Sequence, residues 1–490
     1  MNIKSNQNPA ENNIPNQLRK YIPFLFLGVL LLLTTAITSQ LAKPSLMAAF
    51  IGFIIFAGCF PFLVNRPHYL LYIMAAVIPL GFFSRIMTYL TILPILGILL
   101  GLLWIISYLL GKTAITPARE YWHLFLLALL MTASSLTGLD TANSAWYMKT
   151  MFQLFIFTFL IINLIDTPQK LEQLGWVVLL SNALAAAIVI IDKTGFLPFK
   201  FTGEQVYGYM ALGRETGTAA DPNYFAMQLS VGLGFALGIL LYSQKSPGIK
   251  CLTSILFVIS LFSLLTTYSL GAMIGVGALF FFIILRSQKI KRAHKLGIFF
   301  FVILLMGGMI LFSSFRERIS SEIQLAKKGE VWQLGSERVL TWAASINTAL
   351  HNPFLGVGIG NSSAVAKDYD PFGVIKLLDD PQKGAHNMYI SFAADNGFIS
   401  LFIFILLIIS TYIHLSRSTI KIESTKPELS YIYISTLSIL FSLLVQNLFL
   451  DGWLDKNLWL ILGMSIAAAK IYSASPSWPQ HGNKSSPNLL

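Results

Sequence analysis

The stretch HNMYISFAADNGFISLFIFILLIISTYI, residues 386–413, runs from a polar edge into an apolar segment. As a helix over 387–413 it would measure about 40 Å, enough to cross the roughly 30 Å of hydrocarbon in a bilayer. Backbone inside hydrocarbon must pair within its own segment, so the stretch reads as a membrane helix with its first turn at the water border. His386 and Asn387 stand at that border, in a chain that has only seven histidines. What they do there depends on the rest of the chain.

The apolar pattern repeats outward from this stretch. Of 490 residues, 55% are hydrophobic and 11% charged, and the mean hydropathy is +0.68. A soluble protein carries roughly a quarter charged residues. Fourteen candidate spans can be drawn, at about 21–41, 44–64, 69–84, 87–111, 121–138, 145–165, 171–191, 221–243, 250–267, 270–286, 296–314, 387–413, 429–450 and 454–474. The expected fold class is an all-α polytopic membrane protein with about 12–14 transmembrane helices. Residues 1–20 are polar and Asn-rich and read as a disordered cytoplasmic tail with no cleavable signal; the first span then serves as an uncleaved signal-anchor. An N-terminal bundle is expected over 21–191, a central region over 192–413, two further helices over 414–474 and a cytoplasmic tail over 475–490.

Cations set the orientation. Numbering the loops alternately, one side collects Arg19/Lys20, Arg66, Lys112/Arg119, Lys170, Lys245/Lys250, the cluster Arg286/Lys289/Lys291/Arg292/Lys295, Arg417/Lys421/Lys426 and Lys470. The positive-inside rule makes that side cytoplasmic, and both termini with it. Much of the net charge of +12 is this topological signal, so it calls for membrane lipid as a partner and not for nucleic acid. The two cysteines, Cys59 and Cys251, lie in or beside apolar runs and imply neither a disulfide framework nor a thiolate metal site.

Two outward segments are too long to be turns, about 192–220 and 315–386, the second being one large extracytoplasmic loop with short helices. They hold the polar residues a site would need. The spans carry almost no ionisable groups near their centres, which an ion or proton pathway would require, and no internal repeat suggests inverted halves. The first segment ends GRETGTAADPNYFAMQLS (213–230). There Asp221 is placed to cap a helix whose first residue is Pro222, with Asn223 next. Arg214, at the outer surface, is either a headgroup anchor or a clamp for an anion.

In the second segment, SERVLTWAASINTAL (336–350) reads as a helix with Ser336 as N-cap; Arg338 and Trp342, four apart, share a face. His351 falls at its C-terminus, where a histidine caps carbonyls. Gly356, Gly358 and Gly360 in HNPFLGVGIGN do not have dinucleotide-binding spacing and read as a close-packed turn. His386 precedes a helix N-terminus whose dipole keeps an imidazole neutral, which suits a general base; an interfacial histidine bonded to headgroups is the alternative. On helical spacing His386, Tyr389 and Ala393 face one way. Asp395 lies about 13 Å further along, too far to orient His386 directly. Asp368 and Asp370 in KDYDP, with Asp379 and Asp380, could hold a divalent cation but read as solvated loop acids; neither metal nor other cofactor is expected.

Together RETGTAADPNYFA (214–226), ERVLTWAASINTALHNPFLGVGIGN (337–361) and AHNMYISFAADNGFISL (385–401) resemble the O-antigen ligase and O-antigen polymerase family in order, spacing and sidedness, over about residues 205–410. The resemblance implies a membrane glycosyltransferase of the helical GT-C-like type, with 192–413 as its catalytic region. Its donor would be a glycan on undecaprenyl diphosphate at the outer (periplasmic) face of the cytoplasmic, inner membrane. The acceptor would be a sugar hydroxyl on lipid A-core or on another lipid-linked glycan, in the synthesis of O-antigen, exopolysaccharide or other surface polysaccharide. For that chemistry His386 is the catalytic base, and Arg214 and Arg338 bind the diphosphate bidentately, as lysine cannot. Asp221, Asn223, Trp342, Asn387, Tyr389 and Asp395 support them. One departure stands out: family members often carry Arg-Gly in an outer turn where this chain has TTYSLGAM (266–273), with Leu270 before Gly271. The missing arginine's part is then absent or falls to Arg316 or Arg318. The competing expectation is a transporter of inorganic carbon or another small anion sharing the same domain.

Overall fold

The computed structural model describes residues 58, 60–87, 90–195, 214–219, 221–286, 313–329, 334–377 and 384–473. The tails 1–20 and 475–490, the span expected at 21–41, all but the last two residues of that at 296–314, most of that at 44–64, most of the first outward segment, and Asp379 and Asp380 lie outside them. The chain divides into two compact units, Met1–Arg66 and Pro67–Leu490. In the first, the Arg66 guanidinium stands 5.5 Å over the Phe62 ring.

The second unit is helical. Its helices are α1 (His68–Val77), α2 (Ile92–Leu109), α3 (Glu120–Thr137), α4 (Thr141–Leu164), α5 (Pro168–Thr194), α6 (Pro222–Tyr242), α7 (Pro247–Thr266), α8 (Leu270–Arg286), α9 (Ser313–Lys328), α10 (Leu334–His351), α11 (Ser362–Val365), α12 (Met388–Thr425), α13 (Ser430–Gln446) and α14 (Lys456–Ser473). Six of these, α2, α4, α5, α6, α7 and α12, are long and apolar enough to cross a membrane; α8, α13 and the stretch His68–Gly81 are shorter apolar helices. This is a polytopic membrane protein. The expected third span departs from a single helix. It breaks at Ile78–Pro79 into a 3-10 turn (Ile78–Ser84), followed by a two-residue-wide antiparallel ribbon of Arg85–Met87 with Leu90–Thr91. Proline offers no N–H to carry the α pattern on.

The core of the unit lies around α6, which is buried on nearly all sides and packs against α5, α7, α8 and α13. Small residues let the backbones close: a Cβ at Gly238 would collide with Ser435 on α13, the way membrane helices pack without a hydrophobic drive between them. Polar pairs tie the seam. Gln446 donates to Ser230 (2.8 Å) and Ser442 (3.0 Å), and Ser442 donates to the Gly275 carbonyl (2.7 Å). α2 and α7, by contrast, expose most of their apolar surface.

The opening stretch forms α12, of 38 residues, and extends twelve residues past the expected end at 413. It is broken at Gly397 (φ 79°, ψ 166°) into a short N-terminal piece and a long rod. That backbone geometry is essentially open only to glycine. The break admits another chain segment: a Cβ at Gly397 would strike the Phe354 carbonyl, and Phe398 N–H donates to Pro353 O at 2.8 Å.

Candidate active site

Three sequence segments meet at the short N-terminal piece of α12. The first is the start of α6. The Asp221 carboxylate accepts from Asn223 N–H (2.7 Å) and Tyr224 N–H (3.1 Å), with Pro222 at the first helical position, so Asp221 is a helix cap. Asn223 turns its Oδ1 outward to accept from Arg214 (3.0 Å) and Ser269 (2.9 Å), and Arg214 Nε donates to Thr267 O (2.9 Å). Arg214 is thus fixed against the α7–α8 turn, the same turn in which Leu270 stands where an arginine was expected. Gly271 in that turn is needed for contact: an added Cβ would come to 2.8 Å from Phe449 Cβ.

The second segment is α10. It begins at Leu334, two residues ahead of the expected cap Ser336, and Glu337 in its first turn has a left-handed φ of 67°. Arg338 places its guanidinium 6.0 Å over the Phe449 ring, and Trp342 Nε1 donates to Ala385 O at 2.7 Å. Trp342 thus reaches the backbone beside His386, while Arg338 meets Phe449 in the turn after α13. At the far end His351 Nδ1 pairs with Asn347 O (2.8 Å), a capping role.

The third is the approach to α12. His386 lies outside the helix, at φ 49°, and Asn387 is the cap, accepting from Tyr389 N–H (3.0 Å) and Ile390 N–H (3.2 Å). The helical spacing expected to align His386 with Tyr389 and Ala393 therefore does not apply. Tyr389 donates to Leu444 O (3.0 Å), while Ala393 packs with Ala349. Asn387 Nδ2 donates to Leu448 O (3.0 Å) and Met388 N–H to both Asn447 O and Leu450 O (2.9 Å each). His386 is held on a backbone pinned from both sides, by Trp342 and by the turn Asn447–Asp455 between α13 and α14.

Asp395, further along α12, packs against the glycine turn. Gly356, Gly358 and Gly360 all have positive φ, and a Cβ on Gly356 would meet the Asp395 backbone. Val357 and Gly358 N–H donate to Ala394 O and Asp395 O (3.0 Å each), and Asp395 Oδ1 accepts from Ser362 N–H (2.8 Å). The turn is close-packed and docks on the α3–α4 junction through Leu139 N–H to Val357 O (3.0 Å). Asp370 is similarly occupied, capping Phe372, Val374 and Ile375 N–H, and Asp368 pairs with Lys376 at 3.9 Å. Arg316 is exposed on α9, and the side chain of Arg318 lies outside the described residues.

One residue of this locus escaped sequence reasoning. Asp451, in the turn after α13, accepts from Ser391 Oγ (2.7 Å) through Oδ2, while its Oδ1 has no hydrogen-bond partner among the described residues. Its backbone carbonyl takes the Tyr224 hydroxyl (2.8 Å), and a Cβ on Gly384 would lie 3.5 Å from Oδ2. Burial, reinforced by the charge of Asp395, pushes its carboxyl up to about 7. A lone Asp in a short turn after an apolar run carries no motif; only the fold brings it beside residues 384–391. Five residues on, Lys456 reaches an otherwise largely apolar cavity of about 330 Å³ among α1, α2 and α4.

Residues 255–405 match the family described as O-antigen ligase. The match includes Arg338, Trp342, the glycine turn, His386, Asn387, Tyr389 and Asp395, and leaves Arg214, Asp221 and Asn223 to the chain before it. No curated protein matches the chain. The domain supports glycan transfer in polysaccharide biosynthesis. Set in a polytopic helical membrane protein, residues 255–405 are thus similar to the O-antigen ligase family, and that similarity is what the comparisons give for this chain.

Proposed function

We propose that the protein is a membrane glycosyltransferase that moves a glycan from an undecaprenyl-diphosphate donor to a sugar hydroxyl at the outer face of the inner membrane, with both chain termini cytoplasmic. The acceptor oxygen forms a bond to the anomeric carbon as the bond from that carbon to the diphosphate breaks. His386 takes the hydroxyl proton. The lipid diphosphate leaves as an anion, so no general acid is needed, and Arg214 and Arg338 meet the charge that develops on it. Asp451 adds a carboxyl able to hold a proton near neutral pH beside Gly384, two residues before His386. Trp342, Asn387 and Asn223 position these groups, and the apolar cavity ending at Lys456 suits a polyprenyl chain.

The observation that carries the reading is convergence on one turn. Phe449 lies under Arg338 and against Gly271, Leu448 accepts from Asn387, and the Gly271 turn holds Arg214. The test is the surface-glycan profile of cells lacking the gene, complemented with the unaltered chain, His386→Ala or Arg338→Ala at equal membrane level. Long surface polysaccharide should return only with the unaltered chain. Full complementation by both variants would sink the base-and-arginine mechanism, and flux in proteoliposomes without a lipid-linked glycan would put anion transport in its place.

A further inference from the structure

Three helices that frame the candidate active site share a second meeting point at their other ends. α3 ends at the glycine turn and begins at Glu120; α14 begins beside the Asp451 turn and ends near Lys470; α12 runs from Asn387 through Arg417. The twenty residues from Gly397 to Arg417 cover about 30 Å, one hydrocarbon thickness. At this far end lies a cavity of about 480 Å³. Its wall carries Arg119, Arg417, Lys421 and Lys470, with His414 beside them, against a single carboxylate, Glu120.

That carboxylate is already engaged. Glu120 is buried and accepts from His414 Nδ1 (2.7 Å) and Ser410 Oγ (3.2 Å). Arg119, Arg417 and Lys421 are exposed and form no ion pair among the described residues. Among the described residues Lys470 Nζ donates to neutral oxygens, Thr116 Oγ1 (2.7 Å) and Ile162 O (2.6 Å). Cations serving only as a topological signal would need no common cavity; here four from three chain segments face one space. The same side of α12 is also apolar: Ile413 and Ile420, both exposed, are spaced with Arg417 and Lys421 along one face.

We propose that this cavity binds the phosphate of an anionic membrane phospholipid, its headgroup between Arg119, Arg417, Lys421 and Lys470 and its acyl chains along the Ile413–Ile420 face. The cations supply the charge-assisted hydrogen bonds a phosphate oxygen takes. The isoleucines favour a lipid over a free anion, and basic pockets between membrane helices are the usual form of such recognition. The site is independent of the glycan chemistry at the opposite end.

The test is native mass spectrometry of the full chain in detergent, titrated with phosphatidylglycerol and, as the zwitterionic control, phosphatidylcholine. The first phosphatidylglycerol should bind roughly tenfold or more tightly than phosphatidylcholine, and the variant Arg417→Gln/Lys421→Gln should lose that preference. Arg119→Gln, on a different helix, should weaken it in the same direction. Lys112→Gln/Lys426→Gln removes the same charge outside the cavity and should leave it intact. An undiminished preference in the first variant, an equal loss in the charge control, or displacement of the lipid by millimolar inorganic phosphate would each overturn the proposal.

Discussion

The two ends of α12 treat their polar groups in opposite ways. At the Asn387 end four polar side chains are tied to backbone: Asn387 to Leu448, Tyr389 to Leu444, Trp342 to Ala385, Asp395 to Ser362. At the Arg417 end four cations, Arg119, Arg417, Lys421 and Lys470, face a cavity and form no ion pair among the described residues. The first arrangement fixes atoms in place and suits a reaction whose geometry must be met closely. The second sets up a field and tolerates a mobile, variable ligand. A chain with so few charges has segregated them by task, geometry at one end and attraction at the other.

The sharpest break in that comparison is His386→Ala. Loss of a general base costs on the order of 10²–10⁴ in rate, so glycan transfer by purified protein from a lipid-diphosphate donor should fall below detection. Retention of a tenth of the activity would remove His386 from the chemistry. Arg338→Lys keeps the charge but not the planar fork, and roughly a tenfold loss is expected in the same assay; unchanged activity would reduce that end, too, to simple attraction.

Gly397→Ala tests the geometry itself. It forces a side chain into a backbone region reserved for glycine, at a cost on the order of 1–3 kcal/mol, and into the Phe354 carbonyl. The yield of monodisperse protein should drop, while lipid binding at the Arg417 end of whatever folds should persist. Asp451→Asn is a subtler probe, read by thermal melting in detergent. Burial holds the folded carboxyl near 7, against about 4 in an unfolded chain. The folded state then holds the proton more tightly, so the unaltered protein loses stability as pH rises from about 4 through 7. The Asn variant should lack that decline and compare most favourably above pH 7; parallel curves would contradict a charged, buried Asp451. Smallest is Asp221→Ala, a lost cap on α6 worth about 1 kcal/mol, seen as a modest fall in melting temperature.

Much of this was readable beforehand, because hydrocarbon imposes a length and a composition on whatever crosses it. The helix starts at Pro222, Leu270 and Met388 fall within a residue of the expected spans at 221, 270 and 387. Local capping was readable too, since Asp221-Pro222 and Asn387 act through neighbours two or three residues away. What stayed hidden depends on contact across the fold. Asp451 gains its meaning from Ser391 and Tyr224, sixty and 227 positions away. His386 was read on helical spacing, but a left-handed φ set by the neighbouring turns takes it off the helix. The basic cavity was legible only as a scatter of loop cations, because their convergence depends on where three helices end.

The length of the rod after Gly397 carries one more consequence. Residues 398–425 number 28 within α12, about 42 Å at the helical rise, some 12 Å more than the hydrocarbon they cross. A helix with such an overshoot either leans or stands proud of the slab. Bilayer thickness thereby decides how much of the HLSRSTIKIEST segment (414–425) is wet. In a thin membrane Arg417 and Lys421 ride clear of the surface, and in a thick one they are drawn down to the phosphate plane.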